Sequence, residues 1–450
     1  MNSRIVIVGA SDVGISTGLR IRELDRSIKP LVIADNNFPN FSICGIPFFL
    51  GGEVEKWQDL AHRKKSDLRK AGLELLLETR VEKILPEAKK ILIKNNDGVR
   101  EIKYDKLVLG TGGINIEPPI KGLELDEVFF MRWMQDAVEF DNFITQKNPR
   151  RAVIVGGGYV GLEMADALTK RGLEVTVIEF LDSILSTVCS SFRKRIKDKL
   201  EENGVKVILN TEVKEIKKSD GELIIKGSQG FSAAADTVVI SVGTKANSQL
   251  AAGTSLELND DGTYSVNSRL ETNIEDIYAG GDCVQSFNYL SGENKHYALG
   301  TVAHKHGRII GSNICGREEE FAGAIGTQSI KLFDQVVART GLNLAEAEKA
   351  GFEPRTVEIE ARDHKIYYPP AYKTYLRVIA DSKSGRILGA QILGNVRAEI
   401  SKRIDIFSAA IYNEMTCAEF SQLDLSYTPP LSSPWDPVQK AVQELELILD

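Results

Sequence analysis

Cysteine is scarce in this chain of 450 residues, and no two of its five cysteines stand close enough to act as a pair. They lie at 44, 189, 283, 315 and 417, with neither CxxC nor metal-ligand spacing. That pattern excludes a disulfide framework and a zinc site. The five histidines offer no pair with metal spacing either, so no metal is expected. Positive charge is thin: 56 Lys and Arg stand against 63 Asp and Glu, a formal net charge of −7. The densest basic cluster, HRKK at His62–Lys65, reads as a solvated helix face, and no nucleic-acid partner is expected. No apolar window reaches the length of a membrane span, and Ile5–Val8 is too short for a signal segment. No membrane partner and a cytoplasmic location are therefore expected. What remains is the composition of a globular chain, 42% hydrophobic and 26% charged, long enough for two to four domains.

Four of the five cysteines read as small buried hydrophobes. Cys44 stands apart. It sits in NFSICGIPFFLGG, Asn40 to Gly52, followed by Gly45 and Pro47, and Phe49 occupies the place where a two-cysteine redox loop could hold a partner.

Two segments resemble each other: IVIVGASDVGISTGLRIREL from Ile5 and AVIVGGGYVGLEMADALTKR from Ala152. Each reads as an apolar strand, a glycine turn and a helix, leading to a further strand at PLVIAD (30–35) and EVTVIE (174–179), the βαβ unit twice over. The second turn, GGGYVG, is a full G-x-G-x-x-G. Gly156 permits the turn, Gly158 lets backbone N–H groups approach a pyrophosphate, and Gly161 lets helix and strand pack closely. Glu179 ends the next strand, where a carboxylate accepts hydrogen bonds from ribose hydroxyls and repels a 2′-phosphate, so NADH is preferred over NADPH. The first turn, GASDVG, is a degraded copy with Gly9, Ser11 and Gly14, Ser11 replacing the middle glycine. DIYAGGDC, 276–283, supplies Gly280 and an aspartate, Asp282, suited to a ribityl hydroxyl or a phosphate-bridging water. A site made of both segments is the arrangement expected for FAD. The helix from about Gly300 would aim its positive end at the flavin ring.

KLVLGTGG (106–113), with Gly112, is another strand ending in glycines. DTVVISVGTKAN from Asp236, with Gly243, and DIYAGGDC read as the two strands that return the chain to its first domain. The fold expected is α/β: two nested Rossmann-like dinucleotide-binding domains plus a C-terminal α+β dimerisation domain. Its parts are a FAD-binding domain at 1–113 and 243–324, an inserted NAD-binding domain at 114–242, and the dimerisation domain at 325–450. In the last, TYLRVIADSKSGRILGAQILG reads as a hairpin turning at Ser384-Gly385.

Together TNIEDIYAGGDC, GGGYVGLEMADAL, LVLGTGG and SICGIPFFLGG resemble the FAD- and NAD-linked disulfide oxidoreductases, over nearly the whole chain. More narrowly they resemble the single-cysteine branch of coenzyme A-disulfide reductase, NADH oxidase, NADH peroxidase and persulfide reductase. The resemblance implies that electrons pass from NADH through FAD to Cys44, which needs an external sulfur partner, coenzyme A disulfide or a persulfide. A helix N-terminus beside a flavin would lower the Cys44 pKa. DHKIYYPP (363–370) and LDLSYTPPLSSPWDPV (423–438) resemble coenzyme A-disulfide reductase segments whose tyrosines reach the cysteine of the second subunit of a homodimer. Here these are Tyr367, or its neighbour Tyr368, and Tyr427. The resemblance also implies that Tyr159 covers the flavin when NADH is absent and that Glu163 lies near nicotinamide and flavin. Substrate contacts are expected from Asn40, Ser42, Arg20, Arg22 and Tyr368, the arginines toward coenzyme A phosphates. Departures are Ile43 for an asparagine, Asn40 for a serine, Asp12 for the histidine of the oxidases and peroxidases, and Ala34 for the flavin-ribose glutamate, with Asp35 substituting. The alternatives are an NADH oxidase or peroxidase working through a Cys44 sulfenic acid, a flavin-based thiol redox sensor, and electron transfer to a ferredoxin-like protein.

Overall fold

The computed structural model describes residues 3–449. Three five-stranded sheets organise it. The first runs, edge to edge, Ile277–Ala279, Lys106–Leu109, Ile5–Val8, Leu31–Ile33 and Glu74–Leu76, all parallel. Its central strand, IVIV, is buried at all four residues, as a parallel strand covered on both faces must be. The second runs Lys206–Ile208, Glu174–Ile178, Arg151–Val155, Thr237–Ile240 and Val128–Phe130, again parallel. The strand read from Asp236 as a return to the first sheet is thus the fourth strand of the second. Only Ile277–Ala279 crosses back, pairing with Leu107–Leu109. The α/β architecture expected is present, with a third, antiparallel sheet at the C-terminal end: Gln328–Leu332, Gln335–Gly341, Ile387–Asn395, Lys373–Asp381 and Pro354–Arg362. The helix Ile400–Tyr412 packs its apolar face, including Ile404 and Phe407, against this sheet.

Each βαβ unit depends on a close strand-to-helix approach. Gly156 has φ +112°, and a Cβ on Gly161 would lie 2.0 Å from the Gly156 carbonyl oxygen. Gly9 (φ +107°) and Gly14 repeat this, with 1.9 Å from a Gly14 Cβ to the Gly9 oxygen. The helix Gly300–Ile314 lies along Asp12–Leu24 by the same device: a Cβ on Gly307 would meet the Val13 oxygen at 2.5 Å. Among the described residues no helix is long and apolar enough to cross a membrane. Cys283 and Cys417 are buried as expected, whereas Cys189 and Cys315 are half-buried, and all five cysteines are free.

The close helix pair carries a consequence for pH. His306 is 0% exposed, and its Nδ1 accepts the Gly281 N–H at 3.1 Å. Burial, reinforced by Lys305, pushes the imidazole down to about 3. The folded chain therefore stays neutral here while the unfolded chain takes up a proton below the ordinary histidine pKa. Stability present above about 6.5 is lost as pH falls toward 3, by on the order of 5 kcal/mol in full. Thermal melts between pH 4 and 7 are expected to show this slope, and His306→Asn, which cannot titrate, should flatten it. Parallel slopes in the two proteins would refute the assignment.

Candidate active site

Cys44 lies in the 3-10 turn Ile43–Gly45, which opens into the short helix Ile46–Leu50 with Pro47 in its first turn. Packing holds the turn: the Ser42 N–H donates to the Leu60 carbonyl at 2.8 Å, and a Cβ on Gly45 would lie 2.5 Å from the Leu60 side chain. Phe38, Phe41 and Trp57 pack edge-on and tilted beneath it, with centroids 5.5–5.8 Å apart. The cysteine is exposed at its own surface, yet crowded by protein. That desolvation, followed by the carboxylates of Glu163, Asp12 and Asp282, pushes the thiol up. The lowered pKa expected from a helix N-terminus is therefore corrected for the chain alone. The following helix is too short to supply much dipole, and three carboxylates oppose it.

Two of these carboxylates are tuned in turn. Burial pushes Asp12 up, against the attraction of His304 and His62. The His304 ring bridges it, with Nε2 3.4 Å from Asp12 Oδ1 and Nδ1 2.8 Å from Ser16 Oγ. Burial, then Asp166, pushes Glu163 up to about 7, with Lys331 opposing. Lys331 reaches from the third sheet to within 3.5 Å of Asp166 and 3.1 Å of Glu53, so all three parts of the chain meet at its ammonium.

Two clefts open at the two glycine turns. One, of about 440 Å³, is lined by Gly9, Ser11, Asp35, Thr111, Phe41, Ile43 and Trp133. Asp35 stands exposed at its lip, its carboxylate accepting from the Asn36 side chain at 3.1 Å. Gly280 packs against Ile310 and His306, while Asp282 is ion-paired to Arg132 at 2.9 Å. Arg132 also donates to the Gly113 carbonyl at 2.8 Å and rides over Trp133, close to the left-handed Gly112. Sequence reading missed Arg132, since a single arginine in MRWMQD carries no motif. The other cleft, of about 680 Å³, is lined by Gly156, Gly158, Tyr159, Glu179, Ser241 and Gly243. A Cβ on Gly158 would meet nothing within 4 Å, which leaves room for a pyrophosphate, and the Ser241 hydroxyl is buried without a partner. Glu179 accepts from the Gly157 N–H at 2.6 Å and the Leu181 N–H at 2.8 Å, so its carboxylate is fixed in place. Each cleft thus fits a dinucleotide, with a helix N-terminus behind a glycine turn.

Some expected substrate residues lie elsewhere. Arg20 donates to Ser312 at 2.8 Å and pairs with Glu23 and Glu319, and Arg22 donates to the backbone carbonyls of Ala71, Arg26 and Ile28. Both are engaged by the fold through these bonds, which argues against their reaching a coenzyme A phosphate. Asn40 is 1% exposed with φ 59°, bonding through its backbone to Ala10 and His62, so it shapes the loop from within. Its Oδ1 is 3.4 Å from Arg63, which brings the HRKK cluster to the loop that carries Cys44. His62–Lys64 precede the helix Lys65–Lys70, so the cluster is mostly loop and only its last residue is helical.

Tyr367, Tyr368 and Tyr427 are exposed on the third-sheet region, beside exposed Ile366, Leu431 and Trp435. Desolvation and the adjoining Tyr367 phenol push Tyr427 up, so the two sequence-distant tyrosines share one patch. Arg403 joins their segments. Buried, it pairs with Asp436 at 3.0 Å and donates to the carbonyls of Asp363 at 2.8 Å and Leu431 at 3.3 Å. No sequence signal marked it.

Comparison with known proteins gives this geometry its context. Residues 3–307 match the family model of pyridine nucleotide-disulphide oxidoreductases, and residues 327–437 match that family's dimerisation domain. The chain belongs to this family. It is an oxidoreductase of the kind that pairs FAD with a nicotinamide dinucleotide. It is 31% identical over 443 residues to an "NAD(P)H sulfur oxidoreductase (CoA-dependent)" of Pyrococcus furiosus, covering 97% of each chain. It is 29% identical over 445 residues to an "NADH oxidase" of Methanocaldococcus jannaschii, covering 98% of each. The solved NAD-dependent persulfide reductase from A. fulgidus superposes with a TM-score of 0.94 at 33% identity, over 99% of this chain and 83% of that one.

Proposed function

We propose that this chain is an NADH-dependent reductase of a low-molecular-weight disulfide or persulfide, with coenzyme A disulfide favoured. The observation that carries the reading is a lone, exposed cysteine in a chain with two dinucleotide clefts, the first lined by its neighbour Ile43, with all five cysteines free. With no internal partner, the second sulfur has to arrive with the substrate. The names of the Pyrococcus and A. fulgidus relatives support coenzyme A and sulfane sulfur as the chemistry.

In this reading the domains divide as 1–113 with 243–324 for FAD, 114–242 for NADH, and 325–450 for dimerisation. Gly9, Ser11, Gly14, Asp35, Gly112, Gly280 and Asp282 hold FAD. Gly156, Gly158, Tyr159, Gly161, Glu163, Glu179 and Gly243 hold NADH, and the fixed Glu179 carboxylate disfavours a 2′-phosphate. FAD, when bound, supplies the relay of an electron pair from the nicotinamide to sulfur. The chain's own residues do the rest. The Cys44 Sγ forms a bond to one sulfur of the substrate, and the other sulfur leaves as a thiolate. Tyr427 and Tyr367 of a second copy stand to protonate that thiolate, which assigns the exposed aromatic patch to a homodimer interface. Two electrons then return Cys44 to the thiol and free the second half. The balance is NADH, one proton and coenzyme A disulfide giving NAD⁺ and two coenzyme A thiols. Ser42 and Tyr368 border the thiol end. Phosphate recognition moves from Arg20 and Arg22 to Arg63 and its neighbours on the Asn40 loop. The five free thiols support a cytoplasmic location.

The test is anaerobic NADH consumption with coenzyme A disulfide as sole acceptor. Sustained turnover, with two thiols released per NADH, is the expected result. Oxidation of one equivalent followed by arrest would point to a sensor instead. Turnover only after air is admitted would assign the chain to the oxidases, the reading that the Methanocaldococcus relative supports.

A further inference from the structure

In the third sheet the strands Pro354–Arg362 and Lys373–Asp381 are joined by a loop whose tip holds Ile366, Tyr367 and Tyr368, all exposed. Two bonds close its base. The Asp363 N–H donates to the Tyr372 carbonyl at 3.0 Å, and the Tyr372 N–H donates to Asp363 Oδ1 at 2.7 Å. Arg403 holds the Asp363 carbonyl from behind. The tip has fewer ties. The Tyr368 N–H turns back to the Lys365 carbonyl at 2.9 Å, and the Lys365 N–H reaches the carbonyl of Pro429, two residues from Tyr427, at 3.3 Å.

The His364 ring links tip to base. Its Nε2 lies 2.7 Å from the Tyr368 carbonyl oxygen, and its Nδ1 lies 3.0 Å from Asp363 Oδ1. The His364 side chain is only 9% exposed and that of Asp363 4%, so water does little to screen the second contact. A carbonyl oxygen only accepts, and so does a carboxylate. Asp363 Oδ1 is already an acceptor twice over, for the N–H groups of His364 at 3.0 Å and Tyr372 at 2.7 Å. A neutral imidazole has one N–H, so it would satisfy one of these oxygens and turn a lone pair on the other. Both contacts are favourable together only when the ring carries two protons. The other charges about the loop have partners of their own. Arg403 pairs with Asp436 on the helices behind it, Lys373 pairs with Glu360 across the two strands, and Arg362 donates to the Ala371 carbonyl. Lys365, on the tip itself, adds a second positive charge. Asp363 is thus the carboxylate that meets the ring.

We propose that His364 is a positioning residue: as an imidazolium it staples the tip of this loop to its base, and so holds Tyr367 in place for the Cys44 site of a second copy. Loss of one proton, from either nitrogen, leaves one of the two ties, so the tip loosens as pH rises. The inference rests on the reading of Tyr367 as a group that protonates the leaving thiolate, and adds what holds it there.

Hydrogen exchange in the FAD-loaded protein, read by mass spectrometry on the segment 363–372, tests the staple without turnover. The comparison is His364→Gln, which keeps an N–H donor and never carries a charge. The ratio of the two proteins at each pH cancels the ordinary pH dependence of exchange. The unsubstituted protein is expected to exchange about tenfold more slowly at about pH 6, as loss of a charge-assisted bond implies, and the gap should close toward about pH 8.5. The ratio of their turnover with coenzyme A disulfide should fall along the same one-proton curve. Adding His364→Gln to Tyr367→Phe should cost little more than Tyr367→Phe alone, because the ring acts through that tyrosine. An exchange gap that is absent, or that persists unchanged at the higher pH, would overturn the staple. Turnover losses that multiply in the double variant would overturn its action through Tyr367. A protein that shows the exchange gap yet does not reduce the disulfide would overturn the proposed function and leave the staple standing.

Discussion

Cys44→Ser is expected to lower anaerobic NADH-dependent reduction of coenzyme A disulfide by roughly a thousandfold or more, while NADH still bleaches the bound flavin. A serine oxygen forms no mixed disulfide, and the structure offers no substitute. Cys283 and Cys417 are buried, and the half-buried Cys189 and Cys315 sit on other elements. The split between the two readouts is the informative part. Retained flavin bleaching shows an intact fold and dinucleotide path, so the loss is assigned to the sulfur step. Full disulfide reductase activity in the serine variant would sink the mechanism. The upward push on the thiol gives the prediction a further edge. In the chain alone, Cys44 faces Glu163, Asp12 and Asp282, so its thiolate has to be favoured by something that arrives with the cofactor or the partner subunit. Alkylation of Cys44 at neutral pH should accordingly be slow in the FAD-free protein and faster once FAD is restored.

Arg403→Met is expected to destabilise the C-terminal region by about 3–5 kcal/mol, because it leaves the Asp436 carboxylate buried without its cation. Asp436 also caps the helix Pro437–Glu446 and accepts from Ser432 at 2.6 Å, so the damage spreads to the segment carrying Tyr427. Thermal unfolding should fall by about 10 °C or more for a region of this size. Adding Asp436→Leu should recover part of the loss, since removing both charges leaves no orphan. An unchanged melting temperature in the single variant would show that the pair holds nothing. Because Arg403 joins the Tyr367 and Tyr427 segments, turnover of the folded fraction should drop as well, by more than either tyrosine-to-phenylalanine change alone.

What could be read from the sequence was local. The glycine turns at Gly9 and Gly156, the Glu179 carboxylate and the hairpin at Ser384-Gly385 each announce themselves within a few residues, because a tight turn or close approach restricts which residues fit. The strand at Thr237–Ile240 was misassigned because an apolar strand before a glycine looks alike in either sheet, and only its pairing with Arg151–Val155 distinguishes them. Arg20 and Arg22 looked free on a helix, but their partners, Ser312 and Glu319 for one and the carbonyls near Ile28 and Ala71 for the other, follow from packing. Arg132 and Arg403 left no trace for the same reason: each acts through residues distant in sequence. The Cys44 thiol was misjudged because the charge that acts on it most, Glu163, lies on the helix of the other dinucleotide unit.

The crossing of Ile277–Ala279 back to Lys106–Leu109 also sets an order of assembly on the ribosome. The second sheet has all its strands once residue 240 has emerged, so it can close while synthesis continues. The first sheet, though it holds the N-terminus, lacks its edge strand until later. At 5–20 residues per second the N-terminal strands wait on the order of ten seconds for that partner. The pocket that begins the chain is therefore finished only after the second sheet, and until then the growing chain carries an unpaired apolar edge.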